Sequence, residues 1–214
     1  MKSFLIIGMG SLGRHLCREL TNAGCEVMVA DMREATFEDI LPLVVAAKVC
    51  DCTRPEVIES FGVEDFDACF VCVGNAFQNC LEITDLLKSY GAKKVYSAAD
   101  RDIEPKFLLR NGADKVIYPE QDIARRIAGM ESSNSIFDFI NISDDYAIFE
   151  IEVLDKWIGK SVIDIDFRKR YNLNIIAYKI GDEIHPELTG NYVFKAEEHI
   201  LVLGHKEDVK KVIK

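Results

Sequence analysis

The stretch Phe4-Leu5-Ile6-Ile7-Gly8-Met9-Gly10-Ser11-Leu12-Gly13 joins a short apolar run to a glycine-spaced turn and then to a helical pattern. Consecutive large apolar residues read as a strand covered on both faces, because a strand with one wet face would alternate. The spacing Gly8, Gly10, Gly13 follows at once. In such a turn the first glycine permits a tight bend, the second lets backbone approach a pyrophosphate, and the third lets helix and strand pack closely. The helix that follows directs free backbone amides and its positive dipole end toward the same point. Leu12, Leu16, Leu20 and Ala23 form one stripe of that helix, and Gly24 supplies its stop.

Five more apolar runs follow, at 26–30, 47–50, 67–73, 94–97 and 115–118. Helical patterns separate them. One spans 75–90 and stops at Gly91, another spans 102–111 and stops at Gly112, and Pro119 is placed to start a further helix. Six buried strands with intervening helices predict an α/β fold, a Rossmann-like doubly wound parallel sheet. Asp31 closes the second run, about 20 residues beyond the glycine turn, where an acid accepts hydrogen bonds from ribose hydroxyls and disfavours a 2′-phosphate. NAD or ATP is therefore expected over NADP, with Arg33 as the nearby residue that leaves some room for the latter.

At Ser132-Ser133-Asn134-Ser135 the composition turns small and polar, which marks a boundary between a domain at 1–134 and one at 135–214. The second is read as a small α+β lobe: a strand at 146–153, a helix at 162–171, strands at 174–179 and 199–204, and a closing helix. Alone it would be marginal, so it is expected to dimerise or to pack on the first lobe.

The 214 residues carry 36 acidic and 26 basic side chains, a formal charge of -10 that would repel a nucleic-acid backbone. No apolar run approaches the roughly 18–20 residues of a membrane-spanning helix, and 4–7 is too short for a signal-peptide core, so a cytoplasmic protein is expected. Seven cysteines lack regular spacing and are expected to be reduced thiols. Cys69 and Cys72 lie three apart in a strand-like run and should point to opposite faces, which excludes a shared metal. Cys50-Asp51-Cys52 could bring two thiols to one face, but without further ligands nearby.

Catalysis by hydride transfer needs a group that handles a proton, and little in this chain offers one. Tyr90 and Lys94 have YxxxK spacing, but Gly91 breaks the helix between them. His15 lies on the first helix, and the other three histidines fall in the second lobe, away from the strand ends where the ligand crevice of such a sheet must be. A binding module fits better than an enzyme. An NAD-dependent oxidoreductase is the alternative, and a cysteine redox sensor a third reading against which the strand placement of the thiols argues.

Together these segments resemble a known family, the cytosolic regulatory subunits of Trk and Ktr potassium-uptake systems, built from regulator-of-potassium-conductance (RCK) domains. The resemblance spans almost the whole chain. It is carried by Phe4 to Gly13, Asp51-Cys52-Thr53, Val73-Gly74-Asn75 with Gln78, and Gly112-Ala113-Asp114-Lys115-Val116-Ile117-Tyr118-Pro119-Glu120. In the second lobe Gly159-Lys160-Ser161-Val162, Gly181-Asp182-Glu183-Ile184-His185-Pro186 and Val202-Leu203-Gly204 add to it.

The resemblance implies dimers assembled into a ring, of octamer size in the family pattern, beneath a potassium-translocating membrane subunit. Nucleotide binding in the first lobe would shift the ring's shape. It places the phosphate turn at Gly8, Met9, Gly10, Ser11, Leu12 and Gly13, and the ribose acid at Asp31 with Met32 and Arg33 beside it. Asp51, Cys52 and Thr53 fall near the adenine, and Val73, Gly74, Asn75 and Ala98 along the crevice. Glu120 matches a glutamate that helps hold a divalent cation in some relatives, and serves equally as an N-terminal helix charge. ATP-binding relatives often carry Arg where this chain has Ser11 and a basic residue where it has Ala98; Arg14 and Arg101 are the expected compensators, and ATP/ADP against NAD(H) stays open. In some relatives the second lobe binds cyclic di-AMP, which makes Arg168 a candidate contact.

Overall fold

In the computed structural model, which describes residues 1–74, 76–131, 136–143 and 145–213, each of the six apolar runs is a strand. They are β1 (Ser3–Ile7), β2 (Glu26–Asp31), β3 (Ala46–Val49), β4 (Ala68–Val71), β5 (Val95–Ala98) and β6 (Lys115–Ile117). All pair in parallel, in the order β3-β2-β1-β4-β5-β6. The chain winds outward from β1 in one direction and from β4 in the other, so the order reverses between these two strands. Helices α1 (Ser11–Asn22), α2 (Pro55–Glu59), α3 (Phe77–Ser89) and α4 (Glu104–Arg110) make four of the five crossovers, and two short 3-10 turns, Glu34–Thr36 and Leu41–Leu43, lie in the one between β2 and β3.

Successive residues of β1 and β4 enter two separate cores, as strands covered on both faces require. Leu5, Ile7, Cys69 and Val71 pack in one with Leu87 and Leu108, while Ile6, Phe70 and Cys72 pack in the other with Val29 and Ile40. Cys69 and Cys72 therefore lie on opposite faces. A buried hydrogen bond of 2.7 Å between the Thr84 and Ser97 hydroxyls ties α3 to β5.

The chain divides into two compact units, Met1–Glu120 and Gln121–Lys214. The helix α5 (Pro119–Glu131) carries the chain out of the first, and the linker expected at 132–135 lies outside the described residues. The second unit is a five-stranded antiparallel sheet in the order β10-β9-β11-β8-β7. Its strands are β7 (Ile136–Asn141), β8 (Tyr146–Glu152), β9 (Asn174–Ile180), β10 (Glu183–His185) and β11 (His199–His205). One face packs Phe149, Ile151, Ile200 and Val202 with Trp157, Phe167 and Phe194.

The single helix expected at 162–171 is instead two, α6 (Val162–Ile165) and α7 (Phe167–Tyr171). Asp166 separates them at φ 52°, a left-handed turn that a continuous helix cannot contain. Ser161 caps α6 by a reciprocal pair of hydrogen bonds with Asp164. The closing helix is α8 (Lys206–Val212), and no helix among the described residues is long and apolar enough to cross a membrane.

Candidate functional site

A cleft of about 940 Å³ opens at the carboxyl ends of the parallel strands, across the point where the strand order reverses. Each strand contributes the residues that follow it. After β1 come Gly8, Gly10, Ser11 and Leu12; after β2, Met32 and Arg33 beside Asp31; after β3, Cys50, Asp51, Cys52 and Thr53. The end of β4 supplies Cys72, Val73 and Gly74, the end of β5 Ala98 and Asp100, and the start of α5 Pro119 and Glu120.

The glycines divide their work. Gly8 sits at φ 93°, and a Cβ there would lie 2.6 Å from the carbonyl oxygen of Cys72. A Cβ on Gly13 would lie 2.1 Å from the carbonyl oxygen of Gly8, so this position must be bare for α1 to pack on its own turn. Gly10 differs: a Cβ there would meet nothing within 4 Å. It is the N-cap of α1 and has no side chain to occupy the first-turn amides, which leaves them for whatever enters the cleft.

Asp31 is anchored by the same loop. Its Oδ2 accepts from the Met9 amide at 2.7 Å, and its Oδ1 accepts from the Arg33 amide at 2.9 Å. The carboxylate is thus fixed in place with acceptor capacity left over. Met9 and Gly13 do not line the cleft. The Met9 side chain is buried in the core, so its part is the amide that holds Asp31, and Gly13 serves packing. Asn75 lies outside the described residues.

Beside Asp31, the Asp51 carboxylate turns the chain by accepting from the Thr53 amide at 3.0 Å and hydroxyl at 2.7 Å. These bonds hold its carboxyl below the usual carboxylate range. On either side the Cys50 and Cys52 sulfurs approach to 3.9 Å.

The charge balance of the cleft is acidic. Asp31, Asp51, Asp100 and Glu120 line it, and among the described residues Arg33 is its one lining base, with Nε 3.6 Å from the Asp31 carboxylate. Arg14 and Arg101, the expected compensators, are engaged elsewhere. Arg14 pairs with Asp39, which Arg18 also engages, and Arg101 pairs with Glu104 at 2.6 Å and lies over the Phe77 ring; neither lines the cleft. Among the described residues no group of three or more His, Cys, Asp or Glu is arranged to hold a metal ion.

Sequence reasoning did not single out Cys72, Asn79, Ile83 or Asp100 as cleft residues. Asn79 and Ile83 stand four apart on α3 and so share the face it turns to the cleft. The rule that ligands bind beyond strand carboxyl ends would have found Cys72 and Asp100.

The chain matches the family model of the TrkA-N domain over residues 4–119 and that of the TrkA-C domain over residues 146–214. It is 30% identical to the Ktr system potassium uptake protein C of Bacillus subtilis (strain 168) over 210 residues, which is 98% of this chain and 95% of the relative. To the Ktr system potassium uptake protein A of Vibrio alginolyticus it is 26% identical over 213 residues, 100% of this chain and 97% of that one. Among solved structures, the GsuK channel bound to NAD superposes with a TM-score of 0.68 at 16% identity over 97% of this chain; that match takes in 38% of the channel and bears on the fold.

Proposed function

The chain belongs to the family of potassium-uptake proteins that join a TrkA-N to a TrkA-C domain, and we propose that it is a nucleotide-binding regulatory subunit. In this reading it lies on the cytoplasmic side of the membrane, bound there through a potassium-translocating membrane subunit whose conduction it controls. Copies of the chain form dimers and a closed ring, with an octamer as the expected size.

The observation that carries the reading is the cleft itself. An uncapped helix start, a glycine with open space before it and an anchored aspartate stand where phosphate, pyrophosphate oxygens and ribose hydroxyls of an adenine nucleotide would sit.

Charge separates the ligands. Four lining acids against one base disfavour the triphosphate of ATP, whereas the bridging pyrophosphate of NAD(H) adds less repulsion. ATP would need a divalent cation to offset it, with Glu120 as the protein ligand and the phosphates completing the site. NAD(H) is therefore the first choice, and ADP the second. A GsuK channel has been solved bound to NAD, and GsuK also bound to ADP.

Control follows from differential affinity. A nucleotide that binds one ring conformation more tightly moves the gate by that difference and no more. Exposed Ile140, Ile176, Ile180 and Ile184 of the second unit support association between copies. Arg168, whose Nε donates to Asn174 at 2.8 Å, is the proposed contact for cyclic di-AMP there.

The test is calorimetric titration of the chain with NAD, NADH, ADP, ATP with and without magnesium, and cyclic di-AMP, joined to potassium uptake in vesicles holding the membrane subunit. We expect an adenine nucleotide to bind and to change uptake, and Asp31→Asn to weaken that binding roughly tenfold or more, the scale of a hydrogen bond to a charged group. Uptake indifferent to the chain and to every nucleotide would sink the proposal.

A further inference from the structure

Cys50 and Cys52 place two thiols 3.9 Å apart in the wall of the cleft. Backbone builds this approach. The Cys50 amide donates to the Asp31 carbonyl at 3.0 Å, which prolongs the β3 edge by one residue. Beyond the end of β3 the chain bends at Cys50 and turns through Asp51 and Cys52, and this turn brings the two side chains together. Between them Asp51 is committed to Thr53, and the Cys50 sulfur lies 3.9 Å from that of Cys52 and 3.7 Å from the Lys48 carbonyl oxygen.

The other cysteines lack this arrangement. Cys17, Cys69, Cys72 and Cys80 are buried as Cys52 is, and burial raises all these thiols; what sets the pair apart is the 3.9 Å approach of Cys52 to the half-buried Cys50. Cys25 is half-buried but does not line the cleft. Of the pair, Cys50 is half-buried and Cys52 is only 4% exposed, so an external reagent meets Cys50 first.

We propose that Cys50 and Cys52 are a disulfide site in the cleft wall, oxidised by hydrogen peroxide when the cleft is empty and shielded when a nucleotide fills it. The shielding rests on the nucleotide reading above; the disulfide does not. The Cys50 sulfur attacks one peroxide oxygen, the O–O bond breaks, and a sulfenic acid and one water form. The Cys52 sulfur then attacks the Cys50 sulfur, the S–O bond breaks, and the hydroxyl leaves with the Cys52 proton as a second water. Two thiols are oxidised and one peroxide is reduced.

Burial raises both thiols above their ordinary pKa, so the resting pair is protonated at neutral pH and its oxidation quickens as pH rises. Contraction from 3.9 Å to a bond of about 2.05 Å must drag the Asp51 turn with it. A bridge across so short a segment is strained, and strained disulfides belong to the readily reduced, regulatory class.

In the test, the reduced full chain is exposed to hydrogen peroxide with and without NAD or ADP, its remaining thiols are alkylated, and its peptides are mapped by mass. The peptide holding Cys50 and Cys52 should lose two hydrogens, escape alkylation and recover with dithiothreitol. A saturating nucleotide should slow this roughly tenfold or more, because only the small unliganded fraction leaves the cleft wall open to peroxide. Cys52→Ser should leave a sulfenic acid on Cys50 that dimedone traps, and Cys50→Ser should leave Cys52 unreacted. Free alkylation of both thiols after peroxide, or irreversible oxidation of Cys50 beside an intact Cys52, would overturn the proposal. Titration of the reduced and oxidised chains separates the two readings. If the reduced chain binds no adenine nucleotide, the ligand reading fails and the mapped disulfide alone decides the site; an oxidation rate unchanged by a saturating nucleotide that the reduced chain does bind overturns the shielding.

Discussion

Gly10 and Gly13 are the same residue type three positions apart, and the structure asks opposite things of them. A methyl group on Gly13 strikes the Gly8 carbonyl oxygen, while one on Gly10 points into open cleft. Gly13→Ala should therefore cost ~1–3 kcal/mol of stability, the scale of overpacking, and should disturb binding as a by-product. Gly10→Ala should leave stability within about 1 kcal/mol, since only its backbone freedom changes, while nucleotide affinity falls. Chemical denaturation and calorimetric titration on both variants check this, and equal loss of stability in the two would refute it. At this scale much of the site was legible, because glycine spacing and a strand-ending acid are local marks. The charge of the cleft was not. Arg14 and Arg101 are near the relevant turns in sequence, yet they are taken by Asp39 and Glu104, and no spacing rule reports which acid a flexible guanidinium finds.

Among the elements, the second unit's sheet carries a charged knot on the face away from its aromatic core. Glu150 on β8 accepts from His199 Nδ1 at 2.7 Å and from Lys179 Nζ at 3.0 Å, and the Phe137 ring packs tilted against that of His199 with centroids 4.0 Å apart. Burial works against the Glu150 charge, but these two partners outweigh it and hold its carboxyl below the usual range. A depressed carboxylate stabilises the fold fully above the ordinary glutamate pKa of about 4.3, and that contribution is lost as pH falls through the depressed value. Glu150→Gln should cost ~1–3 kcal/mol near neutral pH and flatten the acid limb of a stability-against-pH curve. An unchanged acid limb would count against the assignment. The strands that carry Glu150, Lys179 and His199 were legible in the sequence, but β7 and β10 were not: β10 is three residues long and largely exposed. The break between α6 and α7 was hidden for another reason. Apolar spacing reports which side of a segment is buried, and Val162, Ile165 and Phe167 face the core whether or not the backbone turns at Asp166.

On the scale of the molecule, two compact units make stability a sum of two transitions where each unfolds on its own. The chain's single tryptophan, Trp157, is 1% exposed in the second unit's core and reports that unit alone. Far-ultraviolet circular dichroism reports both. NAD or ADP at about 100 times its Kd should add roughly 2.7 kcal/mol to the first unit. The dichroism curve should then shift upward in part while the tryptophan midpoint holds still. A tryptophan midpoint that moves by the same amount would mean that the units melt together.

The placement of β1 between β2 and β4 also fixes an order of events during synthesis. The glycine turn is translated near the start, and β2 soon gives β1 one neighbour. Its other neighbour is separated from it by more than half of the first unit, since Phe4 pairs with Ala68 and Ile7 with Val71. Until β4 leaves the ribosome the Cys72 carbonyl that presses on Gly8 does not exist. Long-range parallel pairing is slow, and its unpaired edges are exposed in the interval. The first part of the cleft to be made thus waits for the fourth strand of the sheet before its glycine turn is packed.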